Sequence, residues 1–363
     1  MRCCVSTRPR SKADALSLRA LNRATLARQL LLARAAITPL AAIEQLAGLQ
    51  AQVPRPPFVG LWSRVEGFEA ASLHRLVHDR AVVRATMMRG TIHLVSAADF
   101  VVLRAALAPL LAHRGPRLEG VNVAAVAKHA RKLLPATFET VRAALAAKFP
   151  GHDPRDLGHA VHVHVPLVRV PNDSRWSYST NAHFHEAKAW LGRDLEKVGP
   201  ELLVRRYLAA FGPASVKDAQ AWSGVRNLAP VFAAMRGELR VFTVEGRELF
   251  DLPDAPRPDA NTPAPVRLLP EYDNLLLAFA DHGRYIEPAR RPPLTTKNGM
   301  VAATFLVDGR VAGTWELART GETASIRLRP FEKLSKPVLT AVREEAEALL
   351  RWHEPDARKR TIR

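Results

Sequence analysis

The fold is decided by the stretch PELLVRRYLAAFGPASVKDAQAWSGVRNLAPVFAAM (residues 200–235) and by LRVFTVEGRELFDL (residues 239–252), which follows it closely. Apolar residues recur at helical spacing in the first segment, which predicts three helices with Ser215 as the N-cap of the second. The second segment alternates apolar and polar residues on both sides of Glu245-Gly246, a pattern typical of a β-hairpin. Helices joined by tight turns and followed by a hairpin form the winged-helix arrangement, a variant of the DNA-binding helix-turn-helix.

The same order of helices and hairpin occurs twice earlier in the chain. In the first copy, residues 21–34 and 37–52 have the apolar spacing of helices, and residues 81–96 predict two strands. Thr38 is expected to cap the second of these helices, and Ser72 is expected to cap a later one. In the second copy, residues 137–161 predict two helices, and residues 164–180 predict a hairpin that turns at Asn-Asp-Ser. Three such copies predict a mainly helical α+β protein built from tandem winged-helix units.

A Pro-rich linker after the third copy leads into a region made mostly of predicted strands. Residues 300–317 predict a hairpin that turns at Asp308-Gly309, and residues 335–353 predict a closing amphipathic helix. This region therefore predicts a small β-barrel or sheet with a helical lid. The predicted organisation is a flexible lead over 1–17, winged-helix units over 18–115, 116–195 and 196–254, the β-barrel or sheet domain over 255–353, and a mobile basic tail over 354–363.

Composition narrows the class of protein. Of the 363 residues 47% are hydrophobic, which indicates a folded globular chain, and no run approaches the ~18 apolar residues of a transmembrane helix. Its two cysteines, Cys3 and Cys4, are adjacent; this excludes a disulfide framework and favours a cytoplasmic protein. The net charge of +18 and the pI near 10.8 favour a nucleic-acid partner. The alternative is that the arginines form ordinary solvated faces.

A pair of glutamines in LQAQVPRPP (residues 49–57) is the first candidate site. Residues two apart on a helix point roughly 200° apart, so a continuous helix would separate the two amides. Pro54, however, disfavours helical backbone at the preceding residue. We therefore expect Gln50 in the last turn of a helix and Gln52 in an extended exit, with both amides facing one site. The alternative is a solvated helix end.

A second candidate lies in MMRGTIHLVS (residues 87–96). Arg89 and the following glycine predict a turn, and Thr91 and His93 alternate on one face of the next strand. A hydroxyl and an imidazole beside a guanidinium can hold a phosphate or orient water. The alternative is a half-buried hairpin with a polar face.

Two further patterns involve histidines and carboxylates. His162 and His164 have the H-x-H spacing of zinc ligands on a strand, but no cysteine or well-spaced carboxylate completes a set, so we expect no metal. Glu271 and Asp273 either cap a helix or form an acid pair for hydrolysis. Phosphate-loop and dinucleotide-binding glycine motifs are absent, so we expect no cofactor.

Five segments, in order, resemble the AlkZ-like DNA glycosylases, a family of bacterial winged-helix proteins. The resemblance spans nearly the whole chain, from about residue 18 to residue 352. The segments are LAGLQAQVPRPPFVGLWSRV (46–65), MMRGTIHLVSAADF (87–100), YLAAFGPASVKDAQAWSGV (207–225), LLPEYDNLLLA (268–278) and FLVDGRVAGTW (305–315).

The resemblance implies tandem winged-helix units with a β-barrel, forming a C-shaped DNA clamp. It also implies a monofunctional glycosylase that excises N7-alkylguanines from double-stranded DNA, including those in interstrand crosslinks. The family's active-site motif is Gln, an apolar residue and Gln, which Gln50-Ala51-Gln52 matches. A related branch has Asp in place of the second Gln, so this chain resembles the Gln-x-Gln branch.

The absence of a carboxylate agrees with that chemistry. An N7-alkylguanine is already cationic and leaves without protonation, so water needs only to be placed against an oxocarbenium-like C1′. The resemblance implies that Gln50 and Gln52 place this water, and we expect the enzyme to be a monomer. The residues expected to line the cleft or contact DNA are Arg55, Arg89, Thr91, His93, Arg284, Lys297 and Arg310. The alternative function is a winged-helix DNA-binding regulator without chemistry.

Overall fold

The computed structural model describes residues 14–115, 118–179, 181–287, 294–296 and 299–363. The chain is an α+β protein with three sheets among these residues. None of the described helices is both long and apolar enough to cross a membrane. Lys297 and both cysteines lie outside the described residues.

The helices, in chain order, are α1 (Leu18–Arg28), α2 (Pro39–Gln45), α3 (Pro56–Trp62), α4 (Ala70–His78), α5 (Ala97–Ala106), α6 (Ala108–Arg114), α7 (Val123–Leu133), α8 (Phe138–Lys148), α9 (Pro154–His164), α10 (Ala187–Leu191), α11 (Pro200–Phe211), α12 (Val216–Ser223), α13 (Ala229–Met235), α14 (Asn274–Leu277) and α15 (Lys336–His353). Short 3-10 turns lie at Met88–Gly90 and Arg236–Glu238.

The strands are β1 (Asp14–Ala15), β2 (Leu49–Gln50), β3 (Val82–Thr86), β4 (Ile92–Ser96), β5 (Ala136–Thr137), β6 (Leu167–Arg169), β7 (His183–Glu186), β8 (Arg240–Val244), β9 (Arg247–Asp251), β10 (Arg267–Leu269), β11 (Thr304–Val307), β12 (Arg310–Thr320), β13 (Thr323–Pro330) and β14 (Lys359–Ile362).

Local capping signals start several helices where the sequence predicts them. The Thr38 hydroxyl accepts from the N–H of Ala41 at the start of α2. Ser215 and Asp218 form a reciprocal capping box at α12. Each such cap typically contributes about 1 kcal/mol. Ser72, expected to cap α4, lies inside that helix, and its hydroxyl donates to the Glu69 carbonyl instead.

The first two hairpins join in one six-stranded sheet of order β2-β4-β3-β6-β7-β5. Strand β3 of the first copy pairs antiparallel with β6 of the second. In that pairing Arg84 lies opposite Arg169. The sheet therefore runs across the position where the sequence predicts a boundary between units, at residues 115 and 116.

The second hairpin differs from the prediction. His162 and His164 lie on α9 rather than on a strand, because the apolar residues of this segment continue at helical spacing up to Val165, where Pro166 favours extended backbone. The partner of β6 is β7, which lies beyond a long loop, and residues 175–179 form no strand. The H-x-H zinc pattern therefore loses its basis.

The C-terminal strands form an open sheet of order β10-β11-β12-β13-β14. The sequence predicts either a barrel or a sheet here, and the described residues form a sheet. The Asp308-Gly309 hairpin tip packs against α1, where Arg19 and Arg23 pair with Asp308. The expectation of a mobile tail is wrong, since β14 pairs in parallel with β13. At the other end, β1 pairs with β8, so the described part of the predicted lead is folded.

The hydrophobic core connects these layers behind the first hairpin. One cluster joins β3, β4 and α5 to the helices of the third copy, including Tyr207, Phe211 and Trp222. A second cluster, which includes Trp62 and Trp315, joins helices α2, α3 and α4 to the C-terminal sheet and to α15. The β3-β4 hairpin is therefore supported from both sides, and its turn is held where a site can be built.

Candidate active site

An open cleft of ≈ 620 Å³ lies beside the turn of the β3-β4 hairpin. Its wall comes from the first copy, from α9 and β6 of the second copy, and from the segment before α14. No acidic residue lines it among the described residues. Lining residues that bear on the chemistry are Gln50, Gln52, Thr86, Thr91, His159, Arg169 and Tyr272.

Gln50 lies on a strand, and the expectation that it occupies the last turn of a helix is wrong. Helix α2 ends at Gln45 because Ala47 and Gly48 take left-handed backbone, with φ of 53° and 87°. A Cβ at Gly48 would lie 2.5 Å from Val95 Cγ1, so only glycine fits there. The chain then enters β2, which pairs with β4 and places Gln50 opposite His93.

Both glutamine amides reach the cleft. Gln50 is 7% exposed, whereas Gln52 is an exposed residue just beyond the strand. The N–H of Ile92 lies 3.4 Å from Gln52 Oε1. The strand pairing continues past Gln50, since Ala51 N donates to the Ile92 carbonyl at 2.8 Å. Extended backbone, rather than an unwinding helix, brings the pair to one site.

Arg89 holds the amide of Gln50. Its guanidinium donates to Gln50 Oε1 at 2.6 Å and to the carbonyl of Trp222, on α12, also at 2.6 Å. Because a guanidinium can only donate, the oxygen of the Gln50 amide must face Arg89. The Gln50 NH₂ group is therefore the half of the amide that Arg89 leaves for other partners. Arg89 itself sits in left-handed backbone, with φ of 56°.

His93 lies behind this pair and is 1% exposed. Its Nδ1 lies 3.1 Å from the Thr91 carbonyl, and its Nε2 lies 3.3 Å from Arg89 Nη2. A carbonyl accepts and a guanidinium donates, so the ring carries its proton on Nδ1 and is neutral. Burial, and then the charge of Arg89, lower the pKa of His93 to about 3. This arrangement suits a supporting residue better than a proton donor.

Arg84 is a site residue that the sequence reasoning missed. Its Nε donates to the carbonyl of Ala51 at 2.9 Å, and its Nη2 donates to that of Gln52 at 3.1 Å. Arg84 thus holds the backbone of the motif, as Arg89 holds a side chain. The available signal was an arginine among the mostly apolar residues of the strand segment AVVRATMM.

Asn274 supports the motif from the C-terminal region. Its buried amide donates to the carbonyls of Leu46 and Gly48, at 3.3 and 2.8 Å. Next to it, Asp273 caps α14 and forms a fully buried ion pair with Arg64 at 2.9 Å. The helix-cap interpretation of Asp273 is therefore confirmed.

The other predicted contacts are dispersed. Thr91 lines the cleft and donates its hydroxyl proton to the Met88 carbonyl, while Arg55 pairs with Glu271. Arg310 begins β12, beside the tip that packs on α1. Arg284 is not available to DNA: it is 3% exposed, and the Pro213 carbonyl and the ring of Phe279 contact its guanidinium.

The histidines of α9 have different surroundings. His159 is exposed and lines the cleft, whereas the ring of His162 packs against Phe138 and Phe184. Burial, together with nearby Arg169, lowers the pKa of His162 to about 4, so its ring is neutral at pH 7. In the part of the chain that the structure describes, no three His, Cys, Asp or Glu side chains are grouped to hold a metal ion.

Comparisons with known proteins show the family to which the chain belongs. The family model described as DNA glycosylase AlkZ-like matches residues 43–352. The chain is 26% identical over 334 residues to an interstrand DNA cross-link repair glycosylase of Streptomyces sahachiroi, covering 84% of this chain and 88% of that protein. The structure of this chain resembles that of the S. sahachiroi DNA glycosylase AlkZ, with a TM-score of 0.78 and 22% identity; the match covers 96% of this chain and 100% of the AlkZ chain. Since the family model covers most of the chain, the protein belongs to the AlkZ-like family of DNA glycosylases.

Proposed function

We propose that the protein is a monofunctional DNA glycosylase of the Gln-x-Gln branch, which hydrolyses the N-glycosidic bond of cationic N7-alkylguanine. The observation that carries the proposal is a cleft with two amides, from Gln50 and Gln52, and no acidic lining among the described residues. Such a site has no group to protonate a leaving base. It therefore suits a base that already carries a positive charge.

The two amides place the hydrolytic water. A neutral amide neither takes nor gives a proton near pH 7, but it accepts and donates hydrogen bonds in fixed directions. The Gln50 oxygen already accepts from Arg89, and this weakens it further as a base. Catalysis then depends on the position of the water relative to C1′, and not on deprotonation before attack. Neutral bases keep their glycosidic bond, because the site has no acid to protonate them as they leave.

DNA reaches the cleft from its open side. We propose that the three helix-plus-hairpin copies act as winged-helix units and form a C-shaped clamp around duplex DNA. The net charge of +18 supports association with a polyanion. A crosslinked base cannot rotate fully out of the duplex, as most glycosylases require. An open cleft removes that requirement, so N7-linked interstrand crosslinks are included among the proposed substrates.

The relative named as an interstrand DNA cross-link repair glycosylase supports the inclusion of crosslinks, although it shares only 26% identity with this chain. We further propose that the protein acts as a monomer in the cytoplasm, where the bacterial chromosome lies.

The test uses two duplexes, one with a single N7-methylguanine and one with an N7-linked interstrand crosslink. Under single-turnover conditions the wild-type protein should release the methylated base and unhook the crosslink. Gln50→Ala combined with Gln52→Ala should slow both reactions by about 10²-fold or more, with duplex affinity retained, because misplacement of a reactant by about 1 Å has costs of that size.

Arg358→Ala serves as a matched control, since Arg358 is an exposed arginine paired with Glu322 in the C-terminal region. Full activity of the double glutamine variant would refute the catalytic assignment. If the wild-type protein released no base from either duplex yet protected one specific DNA sequence, it would be a regulator without chemistry.

A further inference from the structure

Two arginines face each other across the strands that join the first and second copies. Arg84 on β3 lies directly opposite Arg169 on β6, in register. Opposed residues of an antiparallel pair project from the same face, and like charges in such pairs destabilise a sheet. The sheet therefore carries an unfavourable pair at this position unless something compensates both charges.

Protein groups leave this pair uncompensated in the part of the chain that the structure describes. No acidic side chain there forms an ion pair with either arginine, and the groups that contact Arg84 are neutral: two backbone carbonyls accept from it, and the centroid of the Tyr178 ring lies 5.1 Å from its guanidinium. Arg84 is 3% exposed, and its Nη1 has no hydrogen-bond partner among the described residues. The Arg169 guanidinium lies 4.9 Å from the centroid of the Phe184 ring, which contributes no negative charge. Burial lowers the pKa of Arg84 to about 10, and it also lowers the pKa of Arg169.

The pair lies at the proposed catalytic motif. The Arg84 guanidinium contacts the carbonyls of Ala51 and Gln52, and Arg169 lines the same cleft as both glutamines. A buried N–H of Arg84, which has no partner among the described residues, and the half-buried guanidinium of Arg169 therefore lie beside the glutamine pair. Guanidinium groups bind phosphate through paired hydrogen bonds, so a phosphate would supply an acceptor for Nη1 of Arg84 and an opposite charge for both arginines.

We propose that Arg84 and Arg169 form a phosphate-binding subsite for one phosphodiester of the lesion-bearing strand, adjacent to the excised nucleotide. The proposal rests on the proposed function, because it needs DNA in the cleft. The bound phosphate compensates the two like charges, and the contact fixes the position of the sugar relative to Gln50 and Gln52. The pair is thus a positioning element for the substrate backbone, without a role in sequence readout.

Arg169 carries the test, since Arg84 also holds the motif backbone. The binding probe is a duplex with one stable abasic-site analogue, so that affinity is measured whether or not the protein has glycosylase activity. Arg169→Ala should weaken binding roughly tenfold, as expected for loss of a charged hydrogen-bonded contact. The slope of log Kobs against log salt should become shallower by about 0.9, the value for one phosphate contact. Arg169→Lys should keep most of the salt slope but lose part of the affinity.

Single methylphosphonate linkages then locate the contact. At one linkage next to the abasic site, removal of the phosphate charge should weaken wild-type binding, while Arg169→Ala should show almost no additional loss. Equal losses in both proteins at every linkage would overturn the proposal. So would a higher affinity for free inorganic phosphate than for the duplex, since the site would then serve a small anion.

Thermal unfolding separates a binding role from a structural one. Because Arg169 faces a like charge, Arg169→Ala should leave the Tm of the free protein unchanged or raised. A clear fall in Tm would mean that Arg169 stabilises the sheet, and it would contradict the subsite. Arg358→Ala is the control, with unchanged affinity, salt slope and Tm. If the protein released no base but showed the predicted phosphate contact, the proposed reaction would be refuted and the phosphate-binding subsite would stand.

Discussion

Replacement of Arg89 by alanine tests whether a guanidinium orients the proposed catalytic amide. Arg89 donates to Gln50 Oε1 and to the Trp222 carbonyl at 2.6 Å each, and its Nη2 lies 3.3 Å from His93 Nε2. A hydrogen bond from a charged donor contributes about 1.5–3 kcal/mol net. If the bond to Gln50 is needed to hold the amide in the transition state, its loss should slow base release by roughly 10- to 100-fold, at about 1.4 kcal/mol per tenfold.

The same change should also destabilise the fold. The Trp222 carbonyl and the buried His93 nitrogen lose their donor, and one unsatisfied buried group costs about 1–3 kcal/mol. Arg89→Gly provides the matched control, because it removes the same side chain but relieves the left-handed backbone at φ 56°. We expect the glycine variant to be about 1 kcal/mol more stable than the alanine variant. Both should be equally slow.

The assay combines single-turnover release of N7-methylguanine, at saturating protein, with urea unfolding of each variant. Saturation removes differences in duplex affinity, so the rate reports the chemical step. A wild-type rate in Arg89→Ala would show that the guanidinium does not orient Gln50. Recovery of the rate in Arg89→Gly alone would assign the effect to backbone strain instead.

Three other predictions concern the frame around the site. Gly224→Ala should destabilise the protein by about 1–3 kcal/mol and slow base release, because the new Cβ would lie 3.0 Å from Arg89 Cα in backbone with φ of 79°. Gly237→Ala is the control, because a Cβ there meets nothing within 4 Å, and it should change neither property. Urea unfolding and the single-turnover rate measure both variants. Asn274→Ala should lower the free energy of unfolding by about 1–3 kcal/mol and slow base release, because the carbonyls of Leu46 and Gly48 lose their donor. An unchanged rate of base release would show that the turn between α2 and β2 does not position Gln50. Acid should destabilise the fold between pH 6.5 and about 4, because the unfolded chain binds a proton that the half-buried imidazole of His162 excludes. This contribution to stability is present above pH 6.5 and is lost as the pH falls. His162→Phe should show a smaller loss of urea-unfolding free energy between pH 7 and pH 4.5 than the wild-type protein, by less than about 1.4 kcal/mol per pH unit because the ring is partly exposed.

Much of the local structure could be predicted from neighbouring residues alone. The hydroxyl caps at Thr38 and Ser215 and the Glu245-Gly246 and Asp308-Gly309 turns lie where the sequence predicts them. These features depend on the demands of a few consecutive residues, such as a side-chain acceptor for a free N–H or left-handed backbone at a turn. The charge, the glutamine pair and the family resemblance likewise need only the sequence.

The secondary structure of the site depended on more distant partners. Residues 37–52 keep helical apolar spacing, yet Gln50 lies on a strand because β4 offers backbone partners on one side and Asn274 holds the preceding turn. Local spacing cannot reveal such competition, since the partner residues lie far along the chain. The histidines of α9 show the reverse case, in which a two-residue spacing suggested a strand and longer-range helical spacing prevailed.

The class of protein, the glutamine motif and the lack of an acid in that motif follow from the amino-acid sequence. Tertiary structure alone decided which groups hold that motif. Arg84 and Arg169 lie 85 positions apart in the sequence, and they become a pair only because β3 and β6 join two hairpins in one sheet. Arg89 acquires its role because α12 presents the Trp222 carbonyl beside the hairpin turn. Hydrogen bonds and charge repulsion act over a few ångströms in space, so residues far apart in the chain exert them only after the fold has brought them together.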